Sequence, residues 1–248
     1  MEKNKEAPEN VLKHKKINFD FPWITAAIAL IVLVIALSIA SPMFLSTSNL
    51  MGILRQAAVY VIMGLGMSFV MMTGGVDLSQ GSLLALIGVI SAYIVQNVGS
   101  ISLAILVSVV VGAVIGLING GIIACLNIPP FIATLASMYL CRGLTLVITQ
   151  ASPIVLTDDA FKWIGTGSLA GLPVPVYIFL IAAAAGQFIL SYTATGRFIL
   201  AVGSNQEAAR LSGIKTRWNK CKAYILSGIM VAIAGVVYVS RLGAAQAT

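Results

Sequence analysis

The sequence predicts an all-α, polytopic transmembrane helical bundle with about seven spans. Three observations carry that prediction. Of 248 residues, 59% are hydrophobic and only 9% are charged, against about 25% charged in an ordinary soluble domain. The mean hydropathy is +0.99, so a bilayer is the natural solvent for the chain. Finally, the apolar residues fall into runs near the roughly 20 residues that a helix needs to cross hydrocarbon.

Seven runs qualify, at about 23–42, 51–72, 82–97, 100–126, 130–150, 174–192 and 223–246. The first follows a polar lead and exceeds the ~7–15 apolar residues of a signal-peptide core, so it is expected to be an uncleaved span. Residues 1–21 are then a cytoplasmic basic tail, and 22–248 a transmembrane domain. Lys3, Lys5, Lys13, Lys15 and Lys16 precede the first run; Arg197, Arg210, Lys215, Arg217, Lys220 and Lys222 share the loop 193–222. Basic loops mark the cytoplasmic side, which puts the N-terminus and loop 193–222 inside. Loop 151–173, with Asp158, Asp159 and Lys162, then faces outward. Gly112, Gly116 and Gly120 in the fourth run, and Gly228 with Ala232 in the seventh, have the spacing at which helix backbones approach closely in lipid. Trp23, Trp163 and Tyr177 fall at interface positions.

Several functions are excluded. Cys125, Cys141 and Cys221 form no CxxC pair, so neither a metal site nor a disulfide framework is expected. No basic stripe interleaved with aromatics points to nucleic acid. No G-x-x-x-x-G-K-[ST] stretch occurs, so the chain has no ATP-hydrolysing loop of its own. The lone His14 lies among lysines without a Ser, Asp or Cys partner pattern, and no catalytic residues are assigned.

The stretch "MTGGVDLSQGS", 72–82, holds Asp77, the only acidic residue between Asp20 and Asp158. Thr73-Gly74-Gly75 ends the second run, and a new helix starts near Ser79. Asp77 with Gln80 three residues on has the pattern of a capping box. A carboxylate also suits the positive end of a helix dipole. The functional reading starts from cost, since an acid in a span costs on the order of 3 kcal/mol and such residues usually face a polar cavity. Interrupted helices near the midplane are where transporters place substrate sites. One set of atoms serves both readings.

Residues 203–213, "GSNQEAARLSG", spell a helix of about two turns. Ser204 followed by Glu207 is a second capping-box pattern, and Gly213 is placed to end the helix left-handed. So short a helix is marginal in water and needs a partner to lean on. Ala208, Ala209 and Leu211 offer an apolar face, with Glu207 and Arg210 as polar anchors at i and i+3.

Arg142, within the fifth run, either pairs with Asp77, reaches a polar cavity, or lies along lipid with its head snorkelling outward. Arg55 and Arg241, near outer ends, are expected to snorkel. Phe131 and Thr134 begin the fifth run beside Pro129-Pro130; an aromatic next to a hydroxyl suits a sugar, and an aromatic in a span also suits packing.

These stretches carry a family resemblance. "TGGVDLSQGS" (73–82), "IPPFIATLASMYLCRGL" (128–144), "GRFILAVGSNQEAARLSGI" (196–214), "SPMFLSTSNLMGILRQ" (41–56) and "RLGAAQAT" (241–248) closely resemble the membrane subunits of ribose-type sugar ABC importers. The resemblance covers nearly all of the chain after residue 25. It implies a type II importer permease in a bacterial inner membrane. It also implies a cytoplasmic ATPase partner that uses the ATP, a second permease copy or related subunit, and a soluble sugar-binding protein outside. On it, Asp77, Ser79, Phe131, Thr134 and Arg142 are candidates for the substrate pathway. Gly203, Ser204, Asn205, Glu207, Ala208, Arg210 and Gly213 are candidates for ATPase coupling. Members of that family continue with further glycine-rich spans, so the resemblance also implies a C-terminally truncated permease. The runner-up from another class is an ion-coupled secondary transporter, which would want inverted repeats and several midplane carboxylates.

Overall fold

The computed structural model describes residues 22–246. The basic tail 1–21, with His14, lies outside them, as do Ala247 and Thr248. The chain divides into two compact units, Met1–Asn49 and Leu50–Thr248, described in turn.

In the first unit, α1 runs Pro22–Ala40, with proline at the position where its missing N–H costs nothing. A turn follows. Ser46 Oγ accepts the Asn49 N–H at 3.3 Å, and the Asn49 side chain donates to the Phe44 carbonyl at 2.7 Å. This caps the start of α2, Thr47–Met71, as a hydroxyl at the N-cap should.

The second unit continues α2 and adds α3 (Gln80–Val98), α4 (Ile101–Cys125), α5 (Pro130–Thr149), α6 (Asp159–Thr166), α7 (Val174–Tyr192), α8 (Ala194–Ser204), α9 (Gln206–Leu211) and α10 (Thr216–Leu242). Local chemistry sets the boundaries. Gly99 and Gly243 end α3 and α10 at φ 69° and 68°, the left-handed conformation glycine adopts freely. Ser100 and Asp158 cap α4 and α6 by accepting from Leu103 and Phe161 N–H. Among the described residues six helices, α2, α3, α4, α5, α7 and α10, are long and apolar enough to cross a membrane; α1 supplies a shorter apolar stretch, Ile24–Ala40.

The helical bundle gains four two-residue strands that the sequence did not suggest. β1 (Ile154–Val155) pairs antiparallel with β4 (Ala244–Ala245), and β2 (Ser168–Leu169) with β3 (Leu172–Pro173). Segment 151–173 is therefore structured. Arg55, expected to snorkel, instead donates to Ser168 Oγ at 3.1 Å, and Tyr177 Oη donates to the Leu169 carbonyl at 2.9 Å.

The core forms around α10, buried along most of its length. Its closest partner is α4. A Cβ at Gly112 would strike the Gly228 carbonyl, one at Gly116 the Tyr224 carbonyl, and one at Gly120 would come within 2.7 Å of Cys221 Cα. The glycine stripe thus lets two backbones touch, which in lipid substitutes for the absent hydrophobic drive between helices.

Candidate functional site

α2 ends in a turn at Met72–Gly74, with Gly74 at φ +77°. Gly75 follows against Tyr224, whose hydroxyl would lie 2.5 Å from an added Cβ. That hydroxyl donates to the Val76 carbonyl at 3.2 Å. The chain then delivers Asp77 into the bundle, 5% exposed.

Every polar neighbour there donates toward Asp77. Its Oδ1 accepts from the Ser79 N–H at 3.0 Å and from the Ser79 hydroxyl at 2.5 Å. Its Oδ2 accepts from Ser227 Oγ at 3.3 Å. Behind Ser79 stands Asn119, whose Nδ2 donates to Ser79 Oγ at 3.1 Å and whose Oδ1 accepts from the Ser137 hydroxyl. Behind Ser227 stands Gln80, donating at 2.9 Å. Ser79 and Ser227 each accept one bond and pass one on, so two relays converge on one carboxylate. Buried polar groups satisfied in this way rigidify a site. The network joins α3, α4, α5 and α10.

Two expectations about this stretch are corrected. The Asp77–Gln80 capping box does not form, because Gln80 is drawn away by Ser227 and Ser79 is already helical (φ −74°, ψ −15°) with no side-chain cap bond. Asp77 closes the turn before α3 instead. Arg142 does not pair with Asp77; the ion pairs among the described residues are Lys162–Asp159 and Arg210–Glu207. α2, with 25 residues, is long and apolar enough to cross a membrane before the break. Asn119 and Ser137 lie six and seven residues from the adjacent ends of α4 and α5, or about 10 Å at the helical rise.

The end nearest the network is closed by α8 and α9. Gly203 of α8 rests on the Met72 carbonyl so closely that no Cβ fits. Ser204 is the last residue of α8 and donates to the Leu200 carbonyl at 3.0 Å. The cap of α9 is therefore Asn205, extended at φ −158° and accepting from the Ala208 N–H at 2.9 Å, in place of the expected Ser204–Glu207 box. Asparagine caps as well as serine, and Ser204 cannot be helical and a cap at once. The other end forms as the sequence suggests. Gly213 is at φ +80°, and Gly213 and Ile214 N–H reach the Arg210 and Ala209 carbonyls, both at 3.0 Å, a Schellman closure.

Glu207 and Arg210 pair through two bonds, 2.6 and 3.1 Å. The hydrogen bond and charge of Arg210 hold the Glu207 carboxyl below its ordinary range, and Glu207 pushes Arg210 up. Ala209 is buried, while Ala208 and Leu211 are exposed. The free face of α9 thus presents two apolar residues beside an ion pair. Gln206 is tied to α10 by Lys220 at 2.6 Å.

The α5 candidates separate. Phe131 is exposed, whereas Thr134 is fully buried and donates to the Pro130 carbonyl at 2.7 Å, so the two do not share a site. Arg142 is exposed on a cleft of about 330 Å³ between α3 and α5, lined also by Leu78, Gly81, Ser82, Met138 and Thr145. That is the lower end of the size range for small-molecule sites, and an intramembrane cation on a cleft is a functional candidate in its own right. Sequence reasoning missed Asn119, Ser137, Ser227 and Tyr224. The readable signal was a set of polar residues lodged in the small-residue stripes: Asn119 beside Gly120, and Ser227 beside Gly228.

Comparison with known proteins agrees with this architecture. Residues 49–248 match the family described as branched-chain amino acid transport system / permease component. The chain is 42% identical over 225 residues to the ribose import permease protein RbsC of Escherichia coli (strain K12), covering 89% of this chain and 70% of that one. To the ribose import permease protein RbsC of Bacillus subtilis (strain 168) it is 41% identical over 241 residues, 95% and 74% of the two chains. To the D-allose transport system permease protein AlsC of Escherichia coli (strain K12) it is 36% identical over 236 residues, 94% and 72%. No solved structure matches.

Proposed function

The chain belongs to the family of branched-chain amino acid transport system permease components, and from that premise we propose that it is the transmembrane subunit of an ABC importer for a ribose-like monosaccharide. The observation that carries the reading is the 42% identity to a ribose import permease over 89% of the chain. The protein sits in a bacterial inner membrane as a type II permease. Counting α1, it crosses seven times, with the N-terminus and α8–α9 cytoplasmic and segment 151–173 outside.

A separate cytoplasmic ATPase hydrolyses the ATP, a soluble sugar-binding protein delivers the substrate from outside, and a second permease copy completes the pathway. The chain itself is not an enzyme and holds no cofactor. The free face of α9 docks the ATPase through Ala208, with Glu207 and Arg210 as anchors; Gly203, Ser204, Asn205 and Gly213 give the segment its shape. Movement of α9 passes through α8 to Met72 and the break that holds Asp77. On the pathway side, the exposed α5 residues Phe131 and Arg142 meet the sugar, while Asp77, Ser79 and Thr134 hold the wall from behind.

A carboxylate that serves an ion-coupled carrier must face a cavity that ions reach, and Asp77 is buried, accepting from two neutral hydroxyls and one backbone N–H. That disfavours the secondary-transporter reading. The test is reconstitution of the chain with a ribose-system ATPase and binding protein. D-ribose uptake with ATP hydrolysis supports the proposal; capture of neither ATPase nor D-ribose overturns it.

A further inference from the structure

The Asp77 network bonds α3, α4, α5 and α10 to one another and takes no side chain from α2. The boundary between that bonded body and α2 lies in segment 72–77, which is gripped at both ends. Val76 is held to α10 by the Tyr224 hydroxyl at 3.2 Å. Asp77 is held by Ser227, one turn along the same helix, at 3.3 Å. At the other end Gly203 of α8 lies against the Met72 carbonyl, and Ile199 of α8 shares a buried cluster with Phe69. Between the grips stand Gly74 and Gly75. Gly74 is at φ +77°, and nothing lies within 4 Å of a Cβ added there, so the backbone can turn at that point.

The end of α2 also has room. A cleft of about 170 Å³ lies between α2 and α7, lined by Ser68, Phe69 and Met72 on one side and Ala183 and Gly186 on the other, among others. Between α4 and α10 a Cβ added at Gly112 or Gly116 would strike backbone, whereas one at Gly186 would meet only the Phe69 ring, at 3.7 Å. Close-packed helices transmit a displacement as one body, and a void lets one element shift against another. Val70 of α2 still clusters with Tyr224. Apolar contact is non-directional, so it slides where a hydrogen bond holds register.

We infer that the end of α2 is the element that moves in the transport cycle proposed above, and that Tyr224 positions the fixed side of its hinge. α8 displaces Phe69 and Met72 within the cleft beside α7. Gly74–Gly75 takes up the turn, as hinges of a few residues do. Tyr224 and Ser227 keep Val76, Asp77 and the start of α3 on α10. The inference rests on the transport reading for what drives the movement, and on the chain alone for the hinge.

The experiment uses the full chain, alone in detergent and reconstituted with a ribose-system ATPase and binding protein. Hydrogen exchange on the chain alone should find the last two turns of α2, 65–71, opening faster than the first bonded turns of α3, 83–89, since moving elements come from the less stable parts of a fold. Tyr224→Phe keeps the ring and removes the bond to Val76. The Ser79 amide should then exchange roughly five- to tenfold faster, the weight of one hydrogen bond, with thermal unfolding little changed. In the complex the same variant should lower D-ribose uptake per ATP hydrolysed by a similar factor. Ala183→Leu fills the cleft without touching the network. It should leave unfolding unchanged or raise it, and still lower uptake per ATP, a combination that a residue serving the fold alone does not give. If the unaltered complex captures no ATPase and moves no D-ribose, the transport reading falls and the exchange comparison decides the hinge by itself. Equal exchange at the end of α2 and the start of α3, or normal uptake per ATP in Ala183→Leu, overturns the inference.

Discussion

Asp77 and Glu207 are two carboxylates in the same half of the molecule, and they are held in opposite ways. Asp77 is enclosed, and its partners are neutral hydroxyls and a backbone N–H contributed by α10 and its own turn. Glu207 is open to water and paired with a full charge one turn along its own helix. The first arrangement is long-range and cooperative, so removing its centre strands donors on two elements. The second is local and screened, so its loss leaves the bundle intact. A buried carboxylate is therefore part of the architecture here, and an exposed one is left free to meet the proposed ATPase. Gly203, touching Met72, is where the two regions meet.

The largest effect should come from Asp77→Leu. It leaves the Ser79 N–H and the Ser79 and Ser227 hydroxyls buried without an acceptor, at about 1–3 kcal/mol for each stranded group. We expect loss of most folded protein, read by thermal unfolding in detergent. Asp77→Asn keeps an acceptor for Ser79 and should be markedly milder. If the two variants unfold alike, charge and not acceptor geometry holds the network.

Next is Gly203→Val. The added carbons meet the Met72 carbonyl, and overpacking of this kind costs about 1–3 kcal/mol. The variant should still capture the ATPase while D-ribose uptake per ATP hydrolysed falls. Unchanged uptake per ATP would separate the two regions and remove the link between them.

The caps give a smaller contrast. Asn205→Ala should cost about 1 kcal/mol of α9 stability, the ordinary worth of an N-cap, and Ser204→Ala far less, because its hydroxyl only bonds back within α8. Hydrogen exchange of the α9 amides distinguishes them, and equal effects would restore Ser204 as the cap.

The smallest effect concerns pH. Arg210 lowers the Glu207 pKa, so the pair's contribution is complete above the ordinary carboxylate pKa and is lost as pH falls through the lowered one. α9 amide protection should therefore weaken only in acid, and Glu207→Gln should remove that dependence without moving the unfolding of the bundle.

How far the sequence reveals this structure follows from the range of each interaction. The long helices and the close-packing faces of the fourth and seventh runs were legible, because run length and small-residue spacing act within a span; that those two faces meet each other was not. The Glu207–Arg210 pair and Gly213 were legible for the same reason. The capping boxes were not, because both sites had a rival nearby: Ser227, 147 residues from Gln80, and Asn205, which took the role one residue past Ser204. Ser227 on α10, which bonds Asp77, and Asn119 on α4, which bonds Ser79, depend on tertiary contact, and no local pattern names them. β1 and β4 are held by pairings such as Ile154 with Ala245, again beyond local reach, whereas β2 and β3 form a tight local hairpin, Leu169 opposite Leu172, in a stretch whose short apolar pieces give no strand alternation.

The most direct test of the central claim is capture of the ATPase by this chain with Glu207 intact and with Glu207→Lys, scored together with D-ribose-stimulated ATP hydrolysis. The site is exposed, so the variant should insert and fold normally while capture and stimulated hydrolysis both fall sharply, since the contact charge is reversed at a docking face. Normal capture and hydrolysis in Glu207→Lys, at equal membrane levels, would contradict the account of α9 as the surface that the ATPase drives.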